Sequence, residues 1–173
     1  MITVICGTNR KDAVSHTIAS IYQEKLTGLN EPHQYINLEE LPMDFTFSAL
    51  YENSGQNELF NKYREMMLNS EKFVFIVPEY NGSFPGVLKA FIDGLQFPDT
   101  FKDKKTALVG VSSGIQGAGL ALSHLTDIFN YCGTHVLAAK PKLMHIESNM
   151  KEGKLSSLYQ DLLEQQAEEF VKF

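Results

Sequence analysis

The chain of 173 residues is 43% hydrophobic and 21% charged, which are the proportions of an ordinary folded protein rather than a disordered or fibrous one. Its 15 basic and 21 acidic side chains leave a formal charge of -6, which argues against nucleic acid as the partner. Cys6 and Cys132 are too few for a disulfide framework and neither has metal-ligand spacing, so a reducing, cytoplasmic setting and no metal site are expected.

Ile2–Cys6 is a short apolar run that leads straight into Gly7 without a basic leader, and it predicts the first strand. Ser15 to Leu26 has helical spacing, with Ser15 as the expected cap. Gln34 to Leu38 suits an edge strand. The longest irregular segment follows, Glu39 to Gln56, whose Phe45, Phe47 and Tyr51 either face an interface or pin the loop to the core. Asn57 to Leu68 reads as a helix and Phe73 to Val77 as the most apolar strand, far short of the roughly 20 residues that cross a bilayer, so no membrane partner is expected. Pro85 opens a helix to Leu95, Leu108 to Val111 is a fourth strand, and Leu120 to Tyr131 is a helix followed by Gly133, where a left-handed cap is expected. His135 to Ala138 is a weaker strand, and Leu155 to Val171 closes the chain as a helix.

Continuous runs of Val, Ile and Phe mark strands covered by helices on both faces. Five alternating strand and helix units predict an α/β fold of one domain, residues 1–173, with an open five-stranded parallel sheet between two helical layers, for which 2-1-3-4-5 is one of the two common strand orders. Ligands of such sheets bind beyond the carboxyl ends of the strands, where the order reverses. For the 2-1-3-4-5 order, that places the loops after strands one, three and four around one crevice.

The first loop, Gly7 to Thr17, has the makings of a phosphate cradle. Gly7 permits a tight turn, Thr8, Ser15 and Thr17 carry hydroxyls, the helix start offers free amides, and Arg10 adds a forked cation. It lacks both GxxxxGK[ST] and GxGxxG, so a monophosphate fits better than ATP or a Rossmann-bound dinucleotide. A solvated turn with a capping serine is the plainer alternative. In the second loop, Pro78 to Gly86, two prolines and two glycines stiffen a tip that carries Tyr80 and Asn81, suited to packing on a planar ring. The third, Ser112 to Gly119, holds three glycines that permit close backbone approach, or serve simply as a connection.

At these residues the sequence resembles the NADPH-dependent FMN reductase family of flavin, quinone, azo-dye and chromate reductases. The family pattern GSxRxxS matches Gly7, Thr8, Arg10 and Ser15, and PEYNxSxPGxLKNxID matches Pro78 through Asp93. Here the interval from Arg10 to Ser15 is longer than usual, Ala90 replaces a common Asn, and Gly94 replaces an aromatic. The resemblance implies a flavodoxin-like fold, FMN and NAD(P)H as cofactors, a small-molecule acceptor, and a homodimer or homotetramer. It also implies a cofactor site of Thr8, Asn9, Arg10, Ser15, His16 and Thr17 at the phosphate, with Pro78, Glu79, Tyr80, Asn81, Gly82, Ser83, Ser112, Ser113, Gly114 and Gly117 flanking the isoalloxazine.

Flavin chemistry resides in the ring, so no side-chain acid or base is obligatory and no catalytic residue is assigned. His16 and Glu79 are the nearest titratable groups. The simpler account makes His16 a phosphate or solvent contact and leaves Glu79 held by its backbone in the turn. The resulting expectation is an oxidoreductase passing electrons from NAD(P)H through FMN to a quinone, flavin, azo compound or metal oxyanion. The alternative is a non-enzymatic flavodoxin-like electron carrier.

Overall fold

The structure, a computed structural model, describes residues 1–173. Strand β1 (Ile2–Cys6) pairs in parallel with β2 (His33–Asn37) on one side and β3 (Lys72–Pro78) on the other; β4 (Lys105–Val111) follows β3, and β5 (His135–Val136) follows β4. The order 2-1-3-4-5 is the expected one, with β2 at an edge. Helices α1 (Val14–Gly28), α3 (Glu58–Leu68), α4 (Gly86–Asp93), α5 (Gly119–Tyr131) and α7 (Ser157–Lys172) match the periodic segments within a few residues.

Alternation along each strand divides the core into two layers. Phe73, Phe75 and Val77 of β3 pack with Phe60 of α3, Phe91 of α4 and Phe129 of α5. Val74 and Ile76 face the other way, onto Ile18 and Tyr22 of α1 and Leu163 and Phe170 of α7. A sheet apolar on both faces needs helices on both, so the sequence pattern and the three layers have one cause.

Local chemistry sets the helix ends. The Asn57 side chain accepts from the Phe60 backbone N–H at 3.0 Å and caps α3. After α5, Gly133 has φ of +79°; its N–H reaches the Asn130 carbonyl and that of Thr134 reaches Phe129, the paired bonds of a Schellman end. Ser15 does not cap α1. The helix begins one residue earlier, Ala13 holds the cap position, and no side chain serves it.

The fifth strand departs from expectation. Instead of running to Ala138, β5 stops at Val136, and the chain returns to β4 only at β6 (Lys142–Leu143), beside Gly110 and Val111. Pro141 lies at the return: it brings no N–H to a ladder, but its carbonyl accepts from Gly110 at 2.9 Å. Across the gap, buried Gln166 of α7 donates to the carbonyls of Leu108 and Ala139 at 3.0 and 2.8 Å. Beyond β6 come a short helix α6 (Ile146–Asn149) and a hairpin of β7 (Met150–Lys151) and β8 (Lys154–Leu155).

The irregular 39–56 segment includes the short helix α2 (Phe45–Ser48) and divides its aromatics: Phe45 is buried and stacks on Phe60 at 5.4 Å, whereas Phe47 and Tyr51 are exposed. No helix is long and apolar enough to cross a membrane.

Candidate functional site

The loops after β1, β3 and β4 converge on one cleft of about 150 Å³, lined by Arg10, Ser15, Pro78, Glu79, Tyr80, Ser112 and Ser113 among others. It is smaller than the roughly 300 to 1,000 Å³ of closed ligand pockets, so a large ligand must lie partly across its open rim.

The second loop is shaped by Asn81 and Gly82, with φ of 51° and 74°, which close a tight turn in which Tyr80 and Ser83 exchange backbone hydrogen bonds of 2.8 and 3.0 Å. Asn-Gly is the pair such a turn favours, because both positions need positive φ. The loop is tied down on each side. Tyr80 shares a 2.7 Å hydrogen bond with the fully buried Thr8 of the first loop, whose hydroxyl also accepts from the Arg10 N–H at 3.2 Å. Glu79 accepts from the Ala118 N–H at 3.0 Å, and Ser83 bonds His124 of α5 at 2.9 Å. The Glu79 backbone also donates to Val111 at 2.9 Å, so backbone and side chain together hold it.

Three features at one end of the cleft suit a phosphate. The N-terminus of α1 has no side-chain cap and no acidic residue in its first turn. Arg10 has no carboxylate within 4.0 Å, since the ion pairs of the molecule lie elsewhere. Buried Ser15 lines the same space. Unsatisfied helix N–H groups beside a free guanidinium favour an anion that completes the helix cap.

The remaining sequence-predicted residues separate. His16 and Thr17 lie round the helix, in a neighbouring depression with Tyr35, Asn37 and Glu39. There His16 meets the Tyr35 hydroxyl at 3.2 Å, the Arg10 carbonyl at 3.3 Å and the Glu39 carboxylate at 3.5 Å. It braces the first loop from behind. Asn9, Asn81 and Gly114 are exposed at the mouths of their loops. Gly117 is needed by the protein itself: with φ of +56°, its absent Cβ would stand 2.6 Å from that of Lys142. Beneath the loops, burial pushes the Cys6 thiol up to about 11 and raises the Tyr35 phenol.

Sequence reasoning missed Asp12, Ile146 and Glu147, which also line the cleft. The last two arrive through β6, which aligns residues 144–149 with the third loop: the N–H groups of His145 and Ile146 donate to Gly114 and Ser112 at 3.1 Å each. A two-residue strand after a proline leaves no periodic signal. The Ser113 hydroxyl donates to the Glu147 carboxylate and holds it below the usual carboxylate range. No group of three or more His, Cys, Asp or Glu side chains is placed to hold a metal ion.

Known proteins share the chain's family and fold. Residues 1–145 match the family model described as NADPH-dependent FMN reductase. A 2-hydroxy-1,4-benzoquinone reductase of Burkholderia sp is 27% identical over 158 residues, covering 86% of this chain and 81% of the relative. An NAD(P)H:quinone oxidoreductase of Solanum tuberosum is 28% identical over 138 residues, or 77% and 69% of the two chains. Among solved structures, the flavoenzyme NAD(P)H:(acceptor) oxidoreductase FerB of Paracoccus denitrificans superposes with a TM-score of 0.82 at 22% identity, over 99% of this chain and 94% of that one. The chain thus belongs to the NADPH-dependent FMN reductase family of flavodoxin-like oxidoreductases, which work with FMN and NAD(P)H.

Proposed function

We propose that residues 1–173 form a single FMN-binding unit that takes electrons from NAD(P)H and delivers them to a quinone, as a cytoplasmic homodimer or homotetramer. The observation that carries this reading is the uncapped start of α1 beside the unpaired Arg10 and buried Ser15, in a cleft shared with the braced loops after β3 and β4. A phosphorylated molecule with a flat head fits that pairing.

FMN, when bound, supplies the chemistry: it takes a hydride from nicotinamide and returns electrons to an acceptor. The protein's task is placement. Arg10, Ser15 and the first N–H groups of α1 hold the phosphate, with His16 supporting the Arg10 backbone and Thr8 tying the first loop to Tyr80. Pro78 to Ser83 and Ser112 to Gly114 flank the ring, with Gly117 keeping the third loop close to β6. No side chain is assigned a proton transfer, so the chain's own contribution would be to position the ring and its reactants.

The quinone assignment draws on the names of the curated relatives. Self-association draws on a groove of about 530 Å³ between α4 and α5, walled by Ile92, Leu95, Phe97 and Tyr131, with Phe97 and Tyr131 66% and 83% exposed.

Steady-state oxidation of NADH and NADPH by the FMN-loaded protein, with 1,4-benzoquinone as acceptor, tests the reading. Turnover that requires FMN supports it. A flavin-loaded protein that oxidises neither nucleotide, with quinone or with ferricyanide, is an electron carrier instead.

A further inference from the structure

The resemblance gives the Thr8 hydroxyl to the phosphate, but the fold takes it out of reach. Thr8 is 0% exposed and does not line the cleft, whereas Tyr80 does. Tyr80 comes from the loop after β3, yet its hydroxyl oxygen stands 2.7 Å from Thr8 Oγ1, against the first loop and the backbone of Arg10. Which of the two hydroxyls donates follows from what each has to spend. A hydroxyl carries one proton and two acceptor positions. The Arg10 N–H takes one acceptor position of Thr8 at 3.2 Å, and Tyr80 is the other hydrogen-bond partner of that hydroxyl. If Tyr80 donated, the Thr8 proton would be buried without an acceptor, an arrangement that folded proteins avoid. Thr8 therefore donates to Tyr80. The phenol keeps its own proton, which has no acceptor within the protein, on a half-buried side chain that lines the cleft.

We propose that Tyr80 donates this hydrogen bond to the flavin phosphate, so that Tyr80 rather than Thr8 completes the cradle and makes the site prefer FMN to riboflavin. The inference rests on the FMN reading and deepens it. Three donors then stand head to tail: the Arg10 N–H gives to Thr8, Thr8 to Tyr80, and Tyr80 to a phosphate oxygen. Donors in series polarise one another, and the last acts on an anion, where a hydrogen bond is roughly twice as strong as between neutral partners. Thr8 is a positioning residue in this series: it touches no ligand and fixes where the phenol points. The phosphate thereby joins the first loop, which supplies Arg10, to the second, which supplies Tyr80. Riboflavin lacks that group and gains nothing from the phenol proton.

The experiment titrates the full chain, freed of flavin, with FMN and with riboflavin for wild type, Tyr80→Phe, Thr8→Val and Thr8→Ser. The quantity read is the ratio of the two affinities, because loosened loops weaken both flavins alike and leave the ratio unmoved. Tyr80→Phe keeps the aromatic ring and lowers the FMN to riboflavin ratio about tenfold or more. Thr8→Val lowers it in the same direction, and Thr8→Ser, which keeps the hydroxyl, holds the wild-type value. Inorganic phosphate gives a reading without any flavin, and decides where riboflavin binds too weakly to titrate: it raises the melting temperature of the wild type more than that of Tyr80→Phe. An unchanged ratio in Tyr80→Phe, or an equal response to phosphate, overturns the proposal and leaves the FMN cleft standing. A wild-type ratio in Thr8→Val overturns the part given to Thr8; if that variant does not fold, Tyr80→Phe decides alone. A wild type that binds no FMN overturns the cleft and the proposal together.

Discussion

Arg10 is the residue on which the phosphate end depends. Its guanidinium is unpaired within the protein, so removal costs no native ion pair and acts on the ligand alone. Arg10→Ala is expected to weaken FMN by about 1.5–3 kcal/mol, the range of a hydrogen bond to a charged group, with little change in the melting temperature of the flavin-free protein. Isothermal titration separates the two quantities; unchanged FMN affinity removes Arg10 from the site. The two cysteines make a second contrast. Cys6 is fully buried with its thiol pushed up to about 11 from an ordinary 9.0, whereas Cys132 is partly open beside the α4–α5 groove. Because the folded protein raises the Cys6 value, the associated stability is fully present below pH 9 and is lost as pH climbs toward 11. Iodoacetamide at pH 8 is therefore expected to label Cys132 alone in the native protein, as read by peptide mass; prompt labelling of Cys6 contradicts its burial.

At the scale of elements, the third loop is held more by its neighbours than by its own sequence. Gly117 combines positive φ with a 2.6 Å approach to Lys142, and Gly110 of β4 would meet the Gly117 carbonyl at 2.2 Å if it carried a Cβ. Gly117→Ala forces the loop off β6 and is expected to destabilise the fold by about 1–3 kcal/mol, the usual cost of overpacking, while also weakening FMN. A thermal melt beside an FMN titration checks both. The break between β5 and β6 has its own repair in Gln166, whose amide N–H groups serve the Leu108 and Ala139 carbonyls. Gln166→Leu keeps the bulk but strands two carbonyls, so a loss of about 1–3 kcal/mol in urea unfolding is expected; a neutral result means that water repairs the gap instead.

Those same elements mark where the sequence was legible. Ile2–Cys6 and Phe73–Val77 announced central strands because a strand buried on both faces has no polar alternation to blur it. Arg10, Pro78 to Tyr80, Ser112 and Ser113 could be assigned to one crevice because topology, not composition, brings the loops together. Asp12, Ile146 and Glu147 escaped notice: Asp12 reads as turn polarity, and the other two reach the cleft through a strand of two residues set by Pro141. The resemblance groups His16 and Thr17 with Ser15; successive helical residues are turned about 100° apart, and the structure sets these two beside Tyr35 and Glu39.

For the whole molecule, an acidic α/β chain places its cleft at the carboxyl edge of the sheet and leaves an apolar groove between α4 and α5 open on one side. A cleft of 150 Å³ does not enclose a flavin ring, so part of the ring lies across its open rim. Light scattering is expected to give a dimer or tetramer, and Tyr131→Glu, at an 83% exposed position in that groove, is expected to shift it toward monomer without loss of helical content. A wild-type protein that remains monomeric at high concentration leaves the flavin edge open to solvent and removes the groove as a contact.

The central claim is that three strand-to-helix loops hold FMN. The measurement that reaches it most directly is a titration of the flavin-free protein with FMN, followed by its fluorescence. The account predicts saturable binding at one flavin per chain, and a yellow complex that releases FMN on heating. A protein that stays colourless, and whose melting temperature is unmoved by excess FMN, contradicts it.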